Sequence, residues 1–501
     1  MLWQDKGWLL ACVSQVCLWS CSQSPEPALF TLHNQTFAAT ASDVSAEFRG
    51  IPMALGDLVG DDLQDLVVGN RNGGLWVFEN TGDLEFLDVT ADFDFPFRSG
   101  VVAVAVADMV GDERRELLVA LKNELFILSS DRPARIMART PLMALAEQLL
   151  PMDVDGDGQL ELLVLQRSTT EVESLFEVVG AELVPSTTHS LSLAGRPWSA
   201  TLWDANGDGL SDLHVANDTL AADYGDGEPV GAIDEPPDAF FLGDATFGFS
   251  MQPNAAGLDT PRSSMGGRLL DIGEERTLLL VPDLGRNKLF EWQNSGFEQV
   301  KGLGLDVALY DREPCDSESR LACLILSWST ASADFDLDGA QELMVGNAFS
   351  GLVLPTVLWY EWKSSSKRFA RRSGELGLEA QGLLTSDLDR DGDIDLLVAG
   401  REGRVVLAEN LHQGVTCPRQ LRLLGTSSNS EGRGAIVTAH YQNVATQRHR
   451  IGAGGTAFVN DGVEVHFGRC DLERLEVLWP SGRRSSLDAP ANGMIILTEP
   501  E

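Results

Sequence analysis

The chain has 501 residues, with 37 basic against 75 acidic side chains and a formal net charge of −38. Gripping a phosphate backbone needs a basic surface, so this balance excludes nucleic acid as a partner and favours divalent cations and basic surfaces. Length alone allows roughly two to four domains, and a hydrophobic share of 44% is ordinary for a globular protein.

The N-terminus, MLWQDKGWLLACVSQVCLWSCSQSPEP, carries a short apolar stretch from Trp8 to Ser20. It is too short to span a bilayer and lies where the h-region of a secretory signal would lie, so residues 1–20 are read as a signal peptide. Leu18-Trp19-Ser20-Cys21 resembles a bacterial lipobox, in which cleavage precedes a cysteine that is then lipidated. Trp19 is bulky for its place and Asp5 offsets Lys6, so two outcomes stand side by side: a lipidated Cys21 or a simple cleaved signal. Both lead out of the cytoplasm, to the cell surface, the outer membrane or the extracellular space. Membrane contact is expected only through such a lipid.

From residue 57 one nine-residue frame keeps returning. DLVGDDLQDLVVG keeps Asp57, Asp61 and Asp65 but has Val59 at its third place. DMVGDERRELLVA keeps Asp108, Asp112 and Glu116, with Val110 at the matching place and Arg114 and Arg115 inside the loop. DVDGDGQLELLVL is intact, with Asp153, Asp155, Asp157, Gly158 and Glu161. DANGDGLSDLHVA is intact too, with Asp204, Asn206, Asp208, Gly209 and Asp212. DIGEERTLLLV has Asp271 and Glu275, but its apolar run begins early and no acid stands ninth. DFDLDGAQELMVG gives Asp334, Asp336, Asp338, Gly339 and Glu342, and DLDRDGDIDLLVAG gives Asp387, Asp389, Asp391, Gly392, Asp393 and Asp395.

Like charges this close repel, and a chain already so acidic concentrates them only if something positive sits among them. Acids at places 1, 3 and 5, a glycine at 6 where the chain turns, and an inward carbonyl at 7 form the oxygen cage that acidic loops of the EF-hand kind use for Ca²⁺. Here an acid at place 9 replaces the distant glutamate, and a short apolar strand follows where an EF-hand would enter a helix. The four intact loops are therefore expected to hold about four Ca²⁺ ions. Their side-chain ligands are the acids and amide just named, and the carbonyls come from Gln159, Leu210, Ala340 and Asp393. Tight acidic turns filled by water or Na⁺ are the alternative. The three eroded loops are expected to keep their shape with weak ion binding or none, Arg114 and Arg115 offsetting the carboxylates of theirs.

The frames start at 57, 108, 153, 204, 271, 334 and 387, at intervals of 51, 45, 51, 67, 63 and 53 residues. Units of this length, each a strand, a loop and further strands, fit the four-stranded blades of a seven-bladed β-propeller over residues 21–412. In the first unit LWVFEN is a third strand and LEFLDVT a fourth. After the last frame only GRVVLAEN follows, so the missing outer strand is expected from the N-terminal NQTFAATAS, closing the ring without an open edge. The two long intervals carry insertions, NDTLAADYGDGEPVGAIDEPPDAF, expected to be an exposed loop, and DREPCDSESRLAC. Loops on a rigid scaffold are where recognition tends to sit.

Beyond the presumed signal, with its Cys12 and Cys17, and Cys21 the chain has Cys315, Cys323, Cys417 and Cys470. An even number in an oxidising compartment suggests two disulfides, most simply Cys315–Cys323 and Cys417–Cys470, with unpaired buried thiols as the alternative. No C-x-x-C knuckle points to zinc.

Residues 413–501 hold nine Arg, no Lys and nine Asp plus Glu, so the acidic excess belongs wholly to what precedes them. Short alternating runs, QLRLLGT, AIVTAHYQ, EVHFG, RLEVLWPSG and MIILTE, predict a small antiparallel β domain. His466 and Trp479 read as structural. The sequons at Asn34 and Asn217 matter only in a eukaryotic secretory pathway.

The repeated D-x-[DN]-x-D-G-x-x-[DE] loop and its following strand resemble the FG-GAP (VCBS-type) repeats of integrin α-subunit propellers and their bacterial relatives. SSMGGRLLDIG and SWSTASADFDLDG resemble the lead-in to blades of the cartilage acidic protein family. GTSSNSEGRGAIVTAHY, GAGG at 452–455, VHFG at 465–468 and VLWPSGRR at 477–484 resemble the ASPIC/UnbV domain that ends members of that family. The resemblance implies a bacterial exported relative acting as a calcium-binding, non-catalytic binding or adhesion module, with a protein or glycan ligand at the cell surface or matrix. The alternative is a secreted enzyme, a polysaccharide hydrolase or lyase with its site in the central channel. Against it, the chain has no G-x-S-x-G, zinc signature or cofactor fingerprint.

Overall fold

The computed structural model describes residues 30–38, 50–187, 189–219, 236–244, 248–252, 258, 260–272, 276–306, 326–348, 357–372, 376–400, 404–412 and 414–501. The signal region, Cys21, Cys315 and Cys323 lie outside them. Helix among the described residues is limited to one turn, Thr90–Phe93.

Antiparallel strand quartets succeed one another, each beginning with an inner strand: Met53–Gly56, Val101–Ala107, Leu145–Met152, Pro197–Trp203, Arg268–Ile272, Ser327–Ala333 and Gly382–Ser386. The first quartet continues through Asp65–Gly69, Leu75–Asn80 and Phe86–Asp88. Inner and second strands are near-continuous apolar runs because neighbouring quartets cover both their faces; VVAVAVA of Val101–Ala107 is buried throughout. Outer strands alternate and face water, as Ile136–Pro141 does. Inner strands neighbour each other in sequence, and Gly382–Ser386 returns to Met53–Gly56, so the sheets stand radially about an axis as in a β-propeller.

The last quartet is completed by Phe30–Ala38, which pairs antiparallel with Arg404–Asn410. Phe37 carries that closure into the first blade, its ring 5.1 Å from both Phe78 and Phe86. Of the 217–240 insertion, expected to be an exposed loop, residues 220–235 lie outside the described ones; at its ends Asn217, Asp218, Thr219, Asp238 and Phe240 are buried and Pro236 is exposed. The Asn217 amide donates to the Pro237 carbonyl, which leaves no place for a glycan.

The C-terminal residues form two sheets around Trp479, whose indole N–H donates to Ser485 Oγ. The expected antiparallel order is corrected in one place: Arg419–Leu424 runs parallel to Gly493–Thr498. Alternation reads the same in both directions, so sequence could not decide it. Cys417 and Cys470 are disulfide-bonded, Cα to Cα 4.9 Å.

Residues 452–462 of this part leave its sheets and fill the propeller's axis. Val459–Asn460 adds to Met53–Ala54 as a parallel strand. Leu202 N–H donates to the Ala453 carbonyl at 2.8 Å, Met53 N–H to that of Phe458 at 2.9 Å, and Asn460 Nδ2 to that of Val104 at 2.7 Å. Phe458 lies between Trp198 and Trp328, centroids 5.2 and 6.4 Å away. Gly454, at φ 76°, passes so close to the Ala200 carbonyl that a side chain has no room.

Phe37→Ala removes the ring joining the closing strand to the first blade and should lower unfolding free energy by about 3–5 kcal/mol. Urea unfolding followed by tryptophan fluorescence measures it; a loss under about 1 kcal/mol would mean the closing strand carries little stability.

Candidate metal centres

The frames that begin at 57, 108, 153, 204, 334 and 387 each form the turn between a blade's inner and second strands, so they open on one face of the propeller. A ladder of side-chain-to-backbone bonds shapes them. The N–H at place 7 donates to the acid at 5: Gln159 to Asp157, Leu210 to Asp208, Ala340 to Asp338 and Asp393 to Asp391, at 2.7–3.0 Å. The N–H at place 5 donates to the side chain at 3, and that of glycine 6 to the acid at 1, as Gly339 does to Asp334. The acid at place 9 reaches back to the N–H at place 2: Glu161 to Val154, Asp212 to Ala205, Glu342 to Phe335 and Asp395 to Leu388. Glycine at place 6 has positive φ as expected, 87° at Gly158 and 99° at Gly392. Place 4 is left-handed too, which sequence reasoning missed, although Gly60, Gly111, Gly156 and Gly207 recur there. Leu337 and Arg390 occupy it at φ 54° and 62°.

Three loops gather their carboxylates. One oxygen each from Asp334, Asp336, Asp338 and Glu342 lie within 4.8 Å of one another, as do those of Asp153, Asp155 and Glu161, and of Asp387, Asp389 and Asp391. Asp157, Asp393 and Asp395 stand outside their groups, and Asp204, Asp208 and Asp212 form none. At that loop Asn206 Nδ2 donates to Asp208 instead, at 2.9 Å.

The buried acids of the 334 and 387 loops are only half satisfied. Asp334 Oδ2 accepts from Gly339 N–H and Gln447 Nε2, while its Oδ1 has no partner. Glu342 Oε1, Asp387 Oδ1 and Asp393 Oδ1 are orphaned in the same way, with residue exposures of 0%, 6% and 2%. A buried carboxylate oxygen without a donor is destabilising unless a cation meets it, and hard oxygen donors suit Ca²⁺ or Mg²⁺ rather than a soft metal. The residues present therefore fit a hard divalent ion. Asp393, expected to offer only its carbonyl, also has a side-chain oxygen free.

Burial, with neighbouring carboxylates added to it, pushes these acids up. Asp334 rises to about 7, Asp387 and Glu161 to about 8, and Glu342 to about 10. Asp395 stands well above the ordinary range. Some counter-charge is supplied by the chain, since Arg372 pairs with Asp336; His189 Nε2 lies within hydrogen-bond distance of Asp155, at 3.1 Å.

The eroded loops keep their shape through their own backbone. Asp57 accepts from the N–H groups of Gly60, Asp61 and Asp62, and Asp108 from those of Gly111, Asp112 and Glu113. The expectation for Arg114 and Arg115 is corrected. Arg114 pairs with Asp131, and Arg115 is buried between Glu431 and Glu464 of the C-terminal part. Although burial alone would raise Glu464, Arg115 holds it down at about 2. The guanidinium that does neutralise an eroded frame is Arg450, on Asp271 at 2.6 and 3.1 Å. Asp271 itself lies in the strand Arg268–Ile272 rather than in a loop.

The C-terminal part seats on this face, leaving a polar cavity of about 210 Å³ whose walls include Asp271, Asp334, His449 and His466. Burial lowers both imidazoles to about 4 and keeps them neutral. His466 Nε2 lies 3.3 Å from Ser386 Oγ and no acid orients it.

Family comparison matches residues 28–119 and 153–215 to the FG-GAP-like repeat and residues 425–501 to ASPIC and UnbV. No curated protein matches the chain. Among solved structures, BBS1N in complex with ARL6DN is 11% identical, covering 77% of this chain and 98% of its own at a TM-score of 0.45. The exotype rhamnogalacturonan lyase YesX is 12% identical, with 72% of each chain covered and a TM-score of 0.43. The Dos1 propeller is 10% identical, with 73% and 94% covered and a TM-score of 0.38.

An acid whose folded pKa is raised keeps its proton where the unfolded chain has already lost it. Stability present below about pH 4 is then lost as pH climbs toward the folded value. With Glu161, Asp334 and Asp387 at about 8, 7 and 8, metal-free protein should melt at progressively lower temperature between about pH 5 and 8. Calorimetric melts in chelator check this; a melting temperature rising over that window contradicts it.

Proposed function

Because the chain joins FG-GAP-like repeats to an ASPIC and UnbV domain, we propose that it is a calcium-stabilised, non-catalytic propeller that presents a binding surface outside the cell. The observation that carries the calcium reading is the set of buried, partnerless oxygens on Asp334, Glu342, Asp387 and Asp393. Asp334, Asp336, Asp338 and Glu342 would hold one ion, Asp387, Asp389 and Asp391 with the Asp393 carbonyl a second, and Asp153, Asp155 and Glu161 a third. The ion supplies charge that lets these acids ionise while buried. The 204 loop, with an amide at place 3 and its acids apart, takes a fourth more weakly.

Export is supported by the Cys417–Cys470 disulfide, which belongs to an oxidising compartment. No described helix is long and apolar enough to cross a membrane. The ligand we expect is a protein or glycan at the cell surface or matrix, with lipidated Cys21 as the tether where the signal is of lipoprotein type.

The polysaccharide-enzyme reading needs an open axis, and here residues 452–462 occupy it with backbone bonds to several inner strands. That favours binding over catalysis.

Calorimetry on residues 22–501 should give about three tight Ca²⁺ sites and a weaker one, with a melting temperature that drops on chelation. Each site stabilises by about 2.7 kcal/mol at a hundredfold excess over its Kd. Glu342→Gln keeps the acceptor for Phe335 N–H and should lose one ion while leaving the metal-free melt near that of the parent. No binding heat and an unchanged melt would sink the calcium reading.

A further inference from the structure

The C-terminal domain touches nearly every frame on its face, and its chemistry changes from frame to frame. Where a frame is eroded, the contact is ionic or fills the acid's remaining place. Arg450 takes Asp271 with two bonds, Arg422 lies 3.3 Å from Asp62, and Ser430 Oγ donates to Asp108 at 2.6 Å. Arg115, inside the second frame, is spent on Glu431 and Glu464.

Where a frame is intact, the domain brings neutral donors to it. Asn429 Nδ2 donates to Asp153 at 3.3 Å, Gln447 Nε2 to Asp334 at 2.7 Å, and Thr416 Oγ1 to the Asp391 carbonyl at 2.5 Å. Arg469 donates to the Leu337 carbonyl and pairs with Asp471, making no hydrogen bond to an acid of that frame. At Asp334 this division falls within one carboxylate, Oδ2 serving the domain and Oδ1 left bare. The domain's guanidiniums that bond a frame carboxylate, Arg450 and Arg422, thus go to eroded frames, while the acids of the intact frames receive only neutral donors from it.

We propose that the ions of the 153, 334 and 387 loops latch the C-terminal domain to the propeller, keeping residues 452–462 in the axis, and that withdrawing them frees that segment. The proposal rests on the calcium reading above. Without ions the carboxylate oxygens gathered within 4.8 Å of one another repel, and the loops that Asn429, Gln447 and Thr416 grip are held by their backbone bonds alone. Release uncovers Trp198, Trp328 and the Met53–Gly56 edge, an aromatic-walled channel that the seated domain closes. Ion binding and docking are then linked, and each must strengthen the other by the same factor.

The test is amide hydrogen exchange on residues 22–501, with saturating Ca²⁺ and with chelator, read peptide by peptide. Chelation should speed exchange in 452–462 about tenfold or more, equivalent to about 1.4 kcal/mol, while the second strands of the blades stay protected. Unchanged exchange there, with calorimetry showing bound Ca²⁺, overturns the latch and leaves the calcium sites standing. Loss of protection in all blades together also overturns it, because the ions would then be staples of the whole fold. Absence of bound Ca²⁺ removes both readings. Gly454→Ala gives a second arm that touches no loop acid, since its side chain meets the Ala200 carbonyl and unseats the segment. Linkage then requires several-fold weaker Ca²⁺ binding in this variant; unaltered affinity overturns the proposal.

Discussion

Carboxylates that repel one another are held together, buried, on one face of this propeller, and the rest of the molecule is arranged around that repulsion. The frame's own N–H groups take part of the charge, the acids at places 1, 3 and 5 leaning on backbone two to five places along and the acid at 9 on backbone seven places back. Such bonds use some oxygens and leave others bare, as on Glu342 and Asp387. What is left over has three outlets: a proton, a guanidinium or a metal ion. The frames differ in which they use.

Much of this was legible in the chain because spacing fixes chemistry. Acids at alternate places followed by an apolar strand could form few other things, and the repeat length implied blades. The closing strand was legible as well, because NQTFAATAS copied the outer strand that the last unit lacked. The left-handed turn at place 4 was written in four recurring glycines, but Leu337 and Arg390 disguised it in the frames where ions fit best.

The rest was hidden by distance. Arg115 could not be placed from its neighbours because its partner Glu431 lies 316 residues away. GAGGTAFVND has no alternation to mark it as a strand, since its partners are the exposed backbone edges and aromatic walls of other blades rather than a neighbouring strand of its own sheet. Its Gly454 passes close to the Ala200 carbonyl, and that partner belongs to an inner strand far away in sequence. For the same reason the axis, which sequence left open to an active site, turns out to be filled by the chain itself.

The first blade is also where the two ends of the propeller's history meet. Its neighbour is sealed by Phe30–Ala38 on Arg404–Asn410, and its inner strand is extended by Val459–Asn460. Both pairings join the earliest-made residues to some of the last, so neither can form while the chain is still emerging. Until then the growing sheet presents bare edges, and closure over so long a loop is slow. The ring can therefore close only once nearly the whole chain has been made, and whatever keeps its strands from pairing elsewhere until that moment governs how much of it survives.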